Sequence, residues 1–337
     1  MTSLRLCLGA GLISATATAQ PYPQWEPGFG GEIALMASYD ERMDESTPQT
    51  PKPPPSAPRH PKDTARSPKD DNKKSKTKVI PFGMLTYTFA QGDQQLYFGT
   101  SRSDLALGRF HAELGYVRQL NDGSRVSFGY VPGLLSKEVD RDPFAGKGIK
   151  SKTDSTVEAV RLKYKQILGS ALSLELAAGK QQIEDEQSGQ QLDDTATQAA
   201  LIREGDILFS QLSYLKPLGQ NQRLRTALSY SRLDAQGDAV ASHNYGAESS
   251  LVHQFQRASL ALTLKYRFSD YDSIHPVYQQ RRKDQRWGGF LAYEYREPFG
   301  WKRWSLVTLA GYNDTQSNIQ FYDEQRLLIS AGARYTL

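Results

Sequence analysis

The sequence predicts an all-β fold, a transmembrane antiparallel up-and-down β-barrel of about fourteen strands, with twelve to sixteen as the bounds set by uncertain strand ends. Three observations predict it. Stretches of roughly ten residues alternate apolar and polar side chains, the length a tilted strand needs to cross a bilayer. Aromatic residues mark the ends of these stretches, as in the girdles of barrel proteins. Connections alternate between short and long, as do periplasmic turns and external loops.

The chain has 337 residues, a net charge of +4 and 38% hydrophobic residues. That fraction would suit a soluble protein, but a barrel strand needs an apolar residue only at every second position. At the start, Arg5, the apolar run Leu6 to Ile13 and Ala17-Thr18-Ala19 read as a secretory signal peptide over residues 1–19. Cys7, the only cysteine, lies within it, which leaves residues 20–337 without disulfides or thiolate metal sites. Residues 20–30 read as a periplasmic segment and 31–337 as the barrel, placing the protein in the outer membrane of a Gram-negative cell.

The first alternating stretch sets Ile33, Leu35, Ala37 and Tyr39 against Glu32, Ala34, Met36 and Ser38. Residues 41–78 then break the pattern, with eight prolines among Lys, Arg, Asp and Ser. With little apolar surface to offset the entropy of ordering, they read as a disordered external loop. Lys69, Lys73, Lys74, Lys76 and Lys78 suit it either to anionic surface groups or to a plain spacer role. Further stretches carry Phe110 to Tyr116, Val160 to Tyr164 and Leu172 to Ala178. Leu224 to Tyr230 and Leu260 to Phe268 alternate most cleanly. Helical spacing would scatter their charges around a cylinder.

Short connections fall at 90–94, 121–124, 166–170, 217–222, 256–257 and 297–302, and long ones at 41–78, 133–154, 183–205, 234–243, 269–285 and 313–324. One connection, Arg102 to Gly108, is short where a long one is expected. In the last stretch Leu327, Ile329, Ala331, Ala333, Tyr335 and Leu337 share a face. A closing amphipathic strand of this kind resembles the signal read by barrel-assembly machinery, with leucine where that signal usually has phenylalanine.

Several segments resemble a family. They are Gly28 to Ile33, Tyr87 to Phe89, Leu96 to Asp104, Glu113 to Tyr116, Asp142-Pro-Phe144, Arg161 to Tyr164, Ile274 to Tyr278, Gly300 to Ser305 and Ser317 to Glu324. Together they are similar to an uncharacterised family of predicted outer-membrane proteins, a domain of unknown function. The resemblance implies location and fold, and brings no activity and no catalytic residues.

The alternation points Arg161, Lys163, Lys165, Arg223, Arg225, Lys265, Arg267, Arg326 and Arg334 inward, with Glu32, Glu113, Glu158, Glu175, Glu248 and Glu294. Candidate lumen-lining ligand contacts are Arg161, Lys163, Arg223, Arg225, Lys265, Arg267, Glu113 and Glu175. An open, positively lined pore would favour anions, whereas a tight bore would cross-pair these charges and seal.

His60, His111, His243, His253 and His275 show no metal-ligand spacing, and Gly146 to Ser151 lacks the glycine spacing of a phosphate loop. Asp270, Asp272 and His275, with Asp193-Asp194, form the one acid–histidine grouping that hydrolysis would use. His253, toward the periplasmic end of its strand, is poorly placed for a lipid-facing serine–histidine pair. No catalytic signature, cofactor, metal or nucleic-acid partner is expected. The expected partners are outer-membrane lipid and lipopolysaccharide, the assembly machinery through Tyr335 and Leu337, and small solutes. The leading expectation is a pore or channel for small polar or anionic solutes. The alternatives are a non-conducting barrel acting through its external loops and an outer-membrane hydrolase.

Overall fold

The computed structural model describes residues 24–44, 73–145, 151–192 and 194–337. The expected signal peptide, residues 45–72 of the proline-rich stretch and Asp193 lie outside them.

Fifteen strands form one antiparallel sheet that closes on itself. They are β1 (Gly28–Asp44), β2 (Lys73–Thr88), β3 (Gln94–Gly99), β4 (Glu113–Gln119), β5 (Arg125–Pro132), β6 (Lys137–Asp140), β7 (Lys152–Lys165) and β8 (Leu172–Ile183). Then come β9 (Gly205–Pro217), β10 (Gln222–Ala235), β11 (Ser242–Gln254), β12 (Ala258–His275), β13 (Gln280–Arg296), β14 (Trp304–Ser317) and β15 (Glu324–Thr336). Sequential neighbours pair except β5 with β6, β1 also pairs with β15, and the pairing of β5 with β7 completes the ring. β5 and β6 pair in succession with the same strand, Pro132 opposite Glu158 and Lys137 opposite Ser155. They are one stave broken at Gly133, so the wall is a closed fourteen-strand transmembrane barrel.

Each strand puts alternate side chains on opposite faces, and the register carries that parity around the ring. Leu212, Leu228 and Ala247 share the outer face, as do Leu262, Leu291 and Ala310. Phe29, Tyr87, Tyr214, Tyr245, Trp287, Trp304 and Tyr312 are exposed on that face. Glu32, Glu113, Arg161, Gln211, Ser250, Thr263 and Arg334 are buried on the other. Glu158 corrects the expected inward set, because it shares a face with Val160 and Leu162 and points outward.

All six short connections are tight turns. At one, the Asp122 side chain accepts from the Ser124 amide at 2.9 Å, and Gly123 takes φ +81°. The opposite ends differ from expectation, since β1, β2, β12, β13 and β14 run well past the apolar belt and shorten the loops there. β12 carries apolar residues outward through Phe268 and polar Asp270 and Asp272 beyond.

The largest departure is at the connection Arg102 to Gly108. β3 and β4 are short, and the chain between them folds into the lumen rather than over the rim. It forms helix α1 (Arg102–Ala106), capped by Ser101, whose Oγ accepts from the Asp104 amide at 3.1 Å. Leu105 and Phe110 from this segment pack on Phe82, Phe290, Met36 and Leu309, an apolar cluster inside the barrel. A second helix, α2 (Thr195–Ala200), lies in the β8–β9 loop with Asp194 as its N-cap.

Candidate functional site

The inward segment divides the lumen, and the expected lumen charges gather around it. On one side it seals by apolar contact, with Phe110 against Phe82 at 5.7 Å and Phe290 at 6.0 Å. On the other it is held by polar groups. Thr263 Oγ1 donates to the Ala106 carbonyl at 3.2 Å, and the Lys265 ammonium donates to that of Leu107. Gly108, at φ +63°, lets the backbone pass Phe290, where an added Cβ would meet the ring at 2.9 Å.

Four of the expected residues meet in one network. The Arg161 guanidinium bonds Glu113 and His111, reaches Glu175 at 2.7 Å and lies 3.8 Å from Asp104. Lys163 reaches Glu113 at 3.0 Å, and Tyr97 donates to it at 2.5 Å. Asp104, His111 and Glu113 offer three ligand atoms close enough for a metal ion. Arg161 and Lys163 already supply the positive charge there, so these donors are spent on an ion-pair cluster. Charges buried in this way must be paired, and here they are.

Arg225 and Lys265 form a second group. Both face Glu248, Arg225 in direct hydrogen bond and Lys265 at 3.7 Å. Arg109 of the inward segment joins them, 3.5 Å from Glu248, 3.6 Å from Glu175 and 3.0 Å from Gln211. The bore therefore cross-pairs at this level, the tight alternative of the sequence reading. Nearer the turn end, Arg334 pairs with Glu294 and lies 3.5 Å from Glu32. Arg223 lies exposed at the start of β10.

Arg267 stands apart. It sits directly opposite Arg286 across the β12–β13 ladder, both on the lumen face. Like charges directly opposite destabilise a sheet. Among the described residues neither has a carboxylate within ion-pair distance, and Arg286 donates to Thr315 Oγ1 at 2.8 Å. They line a cavity of about 430 Å³ above the inward segment, with Arg109, Lys265, Glu175 and Glu248 on its wall. Sequence reasoning missed Asp104, Arg109, His111 and Arg286. The signal for the first three was the one connection too short for its place.

Among the described residues the acid–histidine grouping does not assemble. His275 is 1% exposed, with its Nε2 2.7 Å from the Tyr322 hydroxyl and its Nδ1 accepting from the Val277 amide. Asp270 pairs with Arg281 at 3.2 Å and Asp272 with Arg232 at 2.6 Å, while Asp194 caps α2. Instead His275 belongs to a cap that ties the loops together. Phe144 stacks on Phe321 at 5.3 Å, and Arg282 lies 3.3 Å over the Tyr322 ring. Asp142 accepts from the Gly189 amide at 2.9 Å, and Arg203 grips Glu186 and the carbonyls of Asp140 and Arg141 at 2.9 Å. Segments of the family resemblance far apart in sequence thus meet at two places. Leu96 to Asp104, Glu113 to Tyr116 and Arg161 to Tyr164 meet at the constriction. Asp142 to Phe144, Ile274 to Tyr278 and Ser317 to Glu324 meet at the cap.

Residues 28–336 match a family model described as protein of unknown function (DUF2860), and the chain belongs to that family. No curated protein matches the chain. Among solved structures it is similar to a loop L8 deletion mutant of OmpT, an outer membrane protein of Vibrio cholerae. Identity is 8% and the TM-score 0.43, over 92% of this chain and 100% of that one. The outer membrane channel DcaP of Acinetobacter baumannii is similar at 10% identity and TM-score 0.41, over 94% and 100%. A Pseudomonas aeruginosa FadL homologue is similar at 11% identity and TM-score 0.42, over 91% and 90%.

Proposed function

We propose that the protein is a selective channel of the outer membrane for small anionic solutes, narrowed by the segment at residues 100–112. The observation that carries this reading is the Arg267–Arg286 pair. Arg109, Arg161, Lys163, Arg225 and Lys265 at the constriction are matched to acids, and these two face a cavity side by side. Two guanidinium forks on adjacent strands can bind a carboxylate or phosphate bidentately, and binding would relieve their mutual repulsion. The cavity falls in the size class of small-molecule sites, roughly 300–1,000 Å³.

In this reading the outer apolar face meets lipid and lipopolysaccharide, and the closing strand with Tyr335 engages the assembly machinery. Reversal potential across a planar bilayer in a chloride gradient tests the claim. Wild type should prefer anions, and Arg267→Glu with Arg286→Glu should move the preference toward cations. Unchanged selectivity in the double variant would rule the pair out as the selecting element. A second reading, a barrel working through its loops, draws on the packed cap around Phe144, His275 and Phe321. It expects no conductance from folded protein.

A further inference from the structure

The barrel wall has a notch. β2 pairs with β3 only from Met84 to Thr88, and β4 pairs with β5 only up to Tyr130. Above those points the two strands between β2 and β5 have turned inward, so no described strand pairs with β2 from Lys73 to Phe82 on that side. The floor of the notch is the bond from the Thr100 amide to the Gly83 carbonyl, 2.7 Å. Across its top, Lys76 reaches Glu138 of β6 at 2.5 Å.

Its two sides are apolar. Val79, 64% exposed, stands on the outer face of β2, and Leu134, also 64% exposed, and Leu135 stand in the break between β5 and β6. Behind it lie Phe82 and Phe110, the edge of the apolar cluster inside the lumen. Lys74 and Lys78 on β2 are exposed near the top, as is Lys137 on β6. An open strand edge usually recruits another strand. Here Pro81 lacks a donor and four lysines crowd the same stretch, two devices that reject strand addition. The occupant that matches apolar sides under a cationic rim is a flexible apolar chain with an anionic head.

We propose that this notch is a lateral entry between the lumen and the surrounding lipid for single-chain amphiphiles with a carboxylate head. The proposal does not depend on the Arg267–Arg286 pair. It is tested on the full chain with Cys7→Ser, refolded into phosphatidylcholine vesicles. A bimane fluorophore is placed on Leu135→Cys in one variant and on Leu262→Cys, on the lipid-facing wall, in another. Terminally brominated undecanoate is the quenching probe, and bromopropionate is its short-chain control. The Leu135 probe should be quenched saturably, with a midpoint about ten-fold below the concentration needed at Leu262, and bromopropionate should do neither. Lys74→Gln, Lys76→Gln and Lys78→Gln together should remove the saturable phase while heat-shifted gel mobility still reports a folded barrel. Parallel quenching at the two positions overturns the proposal, as does equal action of the short acid. Saturation that survives loss of the lysines in folded protein overturns it too.

Discussion

Arg161 is 7% exposed and touches Glu113, Glu175 and His111, while Arg223 lies exposed at a strand start. The alternation assigned both to the lumen, because parity reports a face and not a neighbour. The partners come from strands and a segment far away in sequence, which parity does not encode. Their substitutions should separate accordingly. Arg161→Ala takes the shared guanidinium from Glu113 and Glu175, which keep only Lys163 and Arg109, and should cost roughly 3 kcal/mol, whereas Arg223→Ala should stay within about 0.5 kcal/mol. Urea midpoints of both variants, refolded in vesicles, measure the difference, and equal midpoints would contradict the pairing described. At the loop end, burial raises the Glu186 carboxyl, but hydrogen bonds and charge from Arg203 outweigh that and hold it below its ordinary 4.5. A carboxylate with a depressed folded pKa contributes stability above its unfolded value and loses it as pH falls through the folded one. Limited proteolysis of the loops should therefore quicken as pH drops below about 4.5, and Glu186→Gln should flatten that rise.

Among the elements, strand faces were legible in the sequence and the inward segment was not. Leu260 to Phe268 announces a strand because side chains alternate at a fixed period. Arg102 to Gly108 carries a helix cap, a positive-φ glycine and mixed apolar and charged residues, which suit an exposed turn equally well. Only its length was discordant. Strand extent was also misjudged at the loop end, since the hydrogen-bonded ladder continues after outward apolar residues give way to polar ones at Asp270 and Asp272. Gly108→Val tests how the segment is seated. The new side chain meets a left-handed backbone and the Phe290 ring, at a cost of roughly 1–3 kcal/mol. The segment should loosen and single-channel conductance rise, and unchanged conductance would mean that it does not narrow the path.

For the whole molecule, fourteen staves are enough to hold water in a bore unless chain folds inward, and here it does. The barrel class and the inward basic residues followed from period and composition. Whether those residues line an open path or lock one depended on the thirteen residues between two short strands. The account rests on that segment as the obstacle, with anions favoured above it. The most direct measurement is single-channel conductance of the wild type beside a variant whose residues 101–110 are replaced by a short Gly-Ser linker. The account predicts small, anion-preferring steps from the wild type and several-fold larger steps from the variant. Equal steps from both folded proteins would contradict it.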